Sequence, residues 1–380
     1  MTTVTRQEPK TFAEAAATLA QASSAGLSVR FHGSGTKLAW GRPAPAADIE
    51  LHTTGLNTIV EHNPGDLTAV LEAGVPLAVA QDTFAAAGQM LALDPPLGDD
   101  ATATIGGIVA TGDSGPLRHR YGAPRDLVIG ATVALGDGTI AQSGGKVIKN
   151  VAGYDLAKLF AGSFGTLGLI LSVSVRLHTL HASTTALGAC PDPERLGAAA
   201  VALAAAPLEL EALEVAWRAG RGGILMRCAG PEHARRARRA ARRLEELGLD
   251  GVEVTTDDES LWERQRAGQR SRDAALVKVA AAPTALAAVI RASQACDGTL
   301  VGRAALGTSY VSLAPEHVDE LRRTLPAGAV SIVLDAPDEL RGQQDPWGTL
   351  EAPVRDLMHS VKGRFDPTGV CNRGLFVDGI

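Results

Sequence analysis

Short apolar runs alternating with glycine-loaded loops occupy residues 26–180, and this alternation constrains the fold more than any other feature of the chain. The runs Asp126 to Leu135 and Leu167 to Val175 have strand length, and clusters such as Gly136-Asp137-Gly138 and Gly144-Gly145 punctuate them. Glycine reaches backbone conformations closed to other residues and lets a ligand approach the main chain closely. The pattern therefore predicts a sheet-rich domain whose loops hold something. Helices are expected at Thr11 to Ser23, which is alanine-rich, and at Pro76 to Ala87, which opens on proline.

Composition narrows the class of protein. Hydrophobic residues make up 45 % and charged residues 21 % of the 380, enough for real cores and too little charge for disorder. A net charge of −6 disfavours generic nucleic-acid binding. Cys190, Cys228, Cys296 and Cys371 are far apart, so neither a disulfide framework nor an iron–sulfur cage is expected. Residues 1–10 are polar, and no apolar run approaches the length of a membrane span. These features predict a soluble cytoplasmic chain, at a membrane only peripherally and through partners.

From about Leu187 the pattern changes. Strand-like runs at Glu211–Trp217, Gly223–Ala229, Ala275–Ala280, Thr299–Arg303, Ser309–Leu313 and Ala329–Leu334 alternate with helical stretches at Glu232–Leu247, Thr284–Ala295 and Pro315–Thr324. This predicts an α+β domain of the ferredoxin-like type over residues 187–335, with no internal repeat. A linker rich in Asp, Pro and Gln leads to a helix at Ala352–Lys362 and the turn-rich GRFDPTGVCNRGLF, within a C-terminal segment 346–380. The arginines between Arg235 and Arg243 read as the solvated face of a helix, partly balanced by Glu245 and Glu246.

Four segments could carry chemistry. FHGSGTK, Phe31 to Lys37, can turn several N–H groups inward as an anion-binding nest, and a plain tight turn would use the same residues. It fails the Rossmann fingerprint, whose third glycine would fall at Leu38. DPPLGDDATATIGGIVATGDSG, Asp94 to Gly115, is too polar for a core and suits the surface beside a large flat ligand. GGKVIKNVAGYDLAKLFAGSFGTLGLIL, Gly144 to Leu171, predicts a short helix carrying Val151, Tyr154, Leu156, Leu159 and Phe160, then an apolar strand. Its Lys146 and Lys149 either neutralise phosphate or face solvent. In DPTGVCNRG, Asn372 stands in a turn and could simply cap it. No Ser/His/Asp or Cys/His set emerges, and His178 with His181 lacks an acidic partner, so neither catalytic residues nor a metal site are assigned.

In this order and spacing the four segments resemble FAD-binding proteins of the vanillyl-alcohol-oxidase (PCMH) type, most closely the E-subunit family of glycolate oxidase. GSGTK is similar to that family's pyrophosphate loop, and the KNVAGYDL run resembles the E subunits specifically. The resemblance implies an α+β fold with a two-part FAD-binding domain, residues 1–180 completed by 346–380, and a ferredoxin-like cap between them. It implies that Gly33, Ser34, Gly35, Thr36 and Lys37 hold the FAD pyrophosphate, and that Pro95, Thr104, Gly106, Gly107 and Ser114 line the cofactor. Gly165 and Ile170 would meet the adenine side and Asn372 the flavin end. Thr36 stands where relatives with covalent flavin carry histidine, so non-covalent FAD is implied. Arg373 stands where the family usually has proline.

The implied function is a glycolate (2-hydroxy-acid) oxidase subunit that makes glyoxylate beside a homologous flavin subunit and an iron–sulfur subunit. Catalytic relatives carry an HxH stretch that helps bind substrate and a metal, and residues 282–380 contain none. Two other readings stay open: a self-sufficient FAD oxidoreductase acting on another small alcohol or acid, and a non-catalytic assembly subunit. A carboxylate clamp could come from Arg303 or Arg373.

Overall fold

The structure, a computed structural model, describes residues 4–146, 154–337, 341–343 and 345–380. The chain divides into two units, one of residues 1–114, 121–180 and 349–380, the other of residues 115–120 and 181–348.

The first unit opens with strand β1 (Thr5–Gln7), helix α1 (Phe12–Ala25), β2 (Val29–His32) and β3 (Ile49–His52). Thr11 caps α1 by accepting a hydrogen bond from the Glu14 N–H at 3.2 Å, and Gly26 closes it in the left-handed conformation. β1, β3 and β2 form a parallel three-stranded sheet in that order. One face of it packs Val29, Ile49 and Leu51 on Ala15, Leu19 and Ala22 of α1. Strands β4 (Ile59–Asn63) and β5 (Thr68–Glu72), helix α2 (Leu77–Ala85), strand β6 (Gln89–Met90) and helix α3 (Ile105–Thr111) follow. Next come the short helices α4 (Arg118–Tyr121) and α5 (Pro124–Leu127), strands β7 (Val128–Ala134) and β8 (Ile140–Gly144), helix α6 (Ala157–Phe160), and strands β9 (Leu169–Arg176) and β10 (His178–Thr179). The second sheet is antiparallel, in the order β4-β5-β9-β7-β8. Of the expected Gly144–Leu171 segment, Lys149 and Val151 lie outside the described residues.

The C-terminal helix Ala352–Phe365 and the tail after it return to this unit. The tail runs beside β2. Val370 O accepts from the Val29 N–H at 2.8 Å, and the Asn372 N–H donates to Val29 O at 2.9 Å.

The second unit is one eight-stranded antiparallel sheet with a repeat that the sequence reading missed. Its first half runs β11 (Ser183–Cys190), α7 (Pro193–Ala204), β12 (Ala212–Arg218), β13 (Arg221–Ala229), α8 (His233–Glu246) and β14 (Asp250–Thr255). After helix α9 (Glu259–Ala267) the second half runs β15 (Ala275–Ala280), α10 (Leu286–Ala295), β16 (Thr299–Arg303), β17 (Thr308–Leu313), α11 (Val318–Thr324) and β18 (Val330–Asp335). Strand order is β14-β11-β13-β12-β16-β17-β15-β18, so each half is a β-α-β-β-α-β unit and β12 meets β16 at the seam. Leu196, Leu203, Leu244, Ile290 and Leu321 of the four helices share one core with the sheet. The halves share topology but no sequence motif, so the repeat has no local signal in the sequence. β14 was also missed: its edge position leaves most of its residues exposed, which removes the apolar alternation that marks a strand.

Candidate functional site

The β2 strand ends at His32, and the next four residues, Gly33-Ser34-Gly35-Thr36, form an irregular loop. A Cβ on Gly33 would lie 2.3 Å from Thr104 Oγ1, so only glycine lets this loop approach the start of α3. Gly35 has φ +87°, which favours glycine on backbone grounds. The N–H groups of Gly33, Ser34 and Gly35 meet no backbone acceptor among the described residues. They are donors available to a ligand.

Thr104 also caps α3, its Oγ1 accepting from the Gly107 N–H at 3.3 Å. A Cβ on Gly106 would stand 2.7 Å from Ala73 Cβ, so this glycine lets α3 sit against the end of β5. The GSFGTLG turn approaches from β9. Phe164 at its bend has φ +55° and stacks on Phe376 with ring centroids 5.4 Å apart. Asn372 joins these parts. Its Oδ1 accepts from the Phe31 N–H at 2.8 Å, and its Nδ2 donates to Phe164 O at 2.7 Å.

These pieces line one cleft. Of the expected residues it brings together Gly33, Ser34, Gly35, Thr36, Lys37, Thr104, Gly106, Gly107, Gly165, Ile170 and Asn372. Pro95 and Ser114 are buried nearby in sequence but are not among its lining residues. Arg30, Trp40 and Leu375 line it without having been singled out, as do Phe31 of the FHGSGTK segment and His32, which the sequence reading weighs as a base and disfavours as too close to the pyrophosphate end. The alternation of β2 could have drawn attention to Arg30, whereas Leu375 has no local signal.

The Lys37 ammonium lies 3.3 Å from the Asp113 carboxylate, with both side chains almost wholly buried, and 5.8 Å from the Trp40 ring centroid. Its charge is thus balanced within the protein. Burial, with His52 beside it, holds the His32 imidazole below the usual histidine range, and Glu50 opposes that shift.

Other candidates lie elsewhere. Lys146 pairs with Glu61 at the surface. Arg303, offered as a carboxylate clamp, is 1 % exposed. It donates to Gln269 Oε1 at 2.9 Å and to Gly115 O at 3.3 Å, lies 3.9 Å from Glu214, and stacks over Tyr310. Burial lifts the Glu214 carboxyl above its ordinary range, against the pull of Arg303 and Gln265. These contacts make Arg303 a structural residue of its sheet. Arg373 is exposed and bonds Gly369 O at 2.8 Å.

Residues 7–144 match the family model of the FAD binding domain. Over 146 residues the chain is 38 % identical to the glycolate oxidase subunit GlcE of Escherichia coli, spanning 38 % of this chain and 41 % of that one. The chain thus spans less than half the length of that relative. It is 25 % identical to an uncharacterized FAD-linked oxidoreductase of Mycobacterium tuberculosis, over 97 % of this chain and 89 % of the relative. Among solved structures, an alkyldihydroxyacetonephosphate synthase superposes with a TM-score of 0.69 over 97 % of this chain and 76 % of that one, at 13 % identity.

The cleft suits the group these similarities name. Loop N–H groups without backbone acceptors fit a pyrophosphate, and the apolar walls of Phe164, Leu169, Ile170 and Leu375 fit flat rings. The chain is therefore an α+β protein with a PCMH-type FAD-binding domain, and FAD is the cofactor that domain takes.

Proposed function

We propose that this chain is an FAD-dependent oxidoreductase acting on the CH–OH group of small 2-hydroxy acids, and specifically the FAD-binding subunit of a glycolate oxidase. The observation that carries the reading is the convergence of the glycine loop, the start of α3, the GSFGTLG turn and Asn372 on one cleft, alongside 38 % identity to GlcE over 146 residues.

In this reading the Gly33–Thr36 backbone donates to the pyrophosphate while the Lys37–Asp113 pair holds the loop's far end. Thr104, Gly106, Gly107, Gly165 and Ile170 line the cofactor, Asn372 fixes the walls at the flavin end, and Pro95 and Ser114 support them. FAD, when bound without a covalent link at Thr36, supplies a two-electron acceptor for the substrate hydride. The four cysteines are buried and free, far from the close spacing that ligates a cluster, so the iron–sulfur centre belongs to a partner subunit beside a homologous flavin subunit. No helix among the described residues is long and apolar enough to cross a membrane, which fits attachment through partners.

The test is anaerobic addition of glycolate or D-lactate to the purified chain, alone and with its partner subunits. The proposal expects flavin that is released by acid and is reduced by glycolate only in the assembled complex. Reduction in the isolated chain would instead support a self-sufficient oxidoreductase. A folded chain without flavin would remove the proposal.

A further inference from the structure

The face of the β1-β3-β2 sheet opposite α1 gathers three metal-ligating side chains. Alternation along β3 puts Glu50 and His52 on one face, two residues apart. The parallel register then sets His32 of β2 beside His52. The two imidazoles stack with centroids 4.6 Å apart and planes 20° from parallel. Nε2 of each ring is buried and has no hydrogen-bond partner among the described residues. A buried polar atom left unpaired costs about 1–3 kcal/mol, and here two of them stand side by side.

The nearest anion is the Glu50 carboxylate, with one oxygen 3.9 Å from His32 Nε2 and the other 3.6 Å from His52 Nε2. Both separations are too long for hydrogen bonds. They approach the spacing of about 3.3 Å between donor atoms around a tetrahedral ion with ligand bonds near 2.0–2.1 Å. One ligand atom from each residue falls within 4.8 Å of the other two.

We infer that His32, His52 and Glu50 form a binding site for a divalent transition metal of the zinc class. Two imidazoles and one carboxylate suit zinc, cobalt or nickel and not magnesium or calcium, which demand oxygen ligands. The histidine side chains are 10 % and 14 % exposed and that of Glu50 41 %, so the fourth position opens to water on the Glu50 side. Arg6 of β1 and Arg30 of β2 both stand in register with Glu50. Their charges compete with a metal ion for the carboxylate. His32 immediately precedes the glycine loop, so a metal here would fix the root of the loop and act structurally.

The experiment titrates Zn2+, and separately Co2+, into the tag-free, FAD-loaded full chain after chelator treatment, read by calorimetry, by the visible spectrum of Co2+ and by thermal unfolding. One equivalent of Zn2+ is expected to bind and raise Tm, since an ion bound only by the folded state stabilises it. Co2+ is expected to show the bands of a tetrahedral site with nitrogen ligands. His52→Ala and Glu50→Gln are each expected to weaken Zn2+ binding by about 10–100-fold, while Mg2+ has no effect on any form. Glu50→Gln keeps the shape of the side chain, so it tests the ligand even if His52→Ala fails to fold. The absence of saturable binding to the wild-type chain, or equal binding by wild type and Glu50→Gln, overturns the inference.

Discussion

At the residue scale, Gly33 decides whether the loop can sit where it does. A side chain there meets Thr104 Oγ1 at 2.3 Å, and Thr104 cannot retreat without giving up the cap of α3. Gly33→Val is therefore expected to lower flavin retention by about 10–100-fold, the equivalent of an overpacking strain of roughly 1–3 kcal/mol. Flavin absorbance per mole of protein after desalting measures it, with circular dichroism to check folding. Full flavin content in a folded Gly33→Val chain would remove the loop from the site. The need for a small, adaptable residue at this position is visible in the sequence, because FHGSGTK follows a strand-like run. The identity of the group that enforces it is not, since Thr104 is 71 residues away.

At the element scale, the C-terminal tail closes the cleft by lying against β2. Asn372 ties the tail to Phe31 on one side and to Phe164 on the other, at a φ of +43° that asparagine tolerates better than alanine. Asn372→Ala removes the hydrogen bonds that Asn372 makes to the Phe31 N–H and to Phe164 O. It should lower unfolding stability by about 2–4 kcal/mol, with flavin lost at lower denaturant than in the wild type. Urea unfolding followed by both protein and flavin fluorescence checks the pair of outcomes. If the two signals move no more than for an exposed Asn→Ala change, the tail is not a wall of the site. The elements themselves were largely legible: Thr11 and Gly26 bound α1 as a cap and a stop should, and Ala275–Ala280 and Thr299–Arg303 were read to the residue. α7 was missed although Asp192 and Pro193 announce its start, because an alanine-rich helix carries little contrast between its faces.

At the scale of the whole molecule, the second unit depends on the seam between its two halves. Glu214 of β12 and Arg303 of β16 stand in register there, both side chains fully buried. A buried ion pair of this kind adds little net stability over apolar residues, but breaking it leaves one charge stranded. Arg303→Met alone should cost about 3–5 kcal/mol, whereas the double change Glu214→Met with Arg303→Met should cost clearly less. Equilibrium unfolding of the four members of that cycle measures the coupling, and additive losses would show that the pair does not act as a unit. Read from the sequence, Arg303 is one of two arginines that could clamp a carboxylate, with an ordinary surface role the favoured alternative; Gln269, Tyr310 and Glu214 reveal its buried structural role only once the strands are paired.

The sequence by itself determined what depends on near neighbours: the helix caps, the glycine turns, the strand lengths and the segments that supply the cleft. All the singled-out cleft residues except Pro95 and Ser114 do line it, because each segment delivers its residues as a block. Tertiary structure alone decided the partners across long separations: Lys37 with Asp113, Asn372 with Phe31 and Phe164, Glu214 with Arg303, and His32 with Glu50 and His52. Each of these rests on strand register or loop closure. A slip of one residue along a strand sends every side chain to the opposite face, and nothing local to either partner specifies that register.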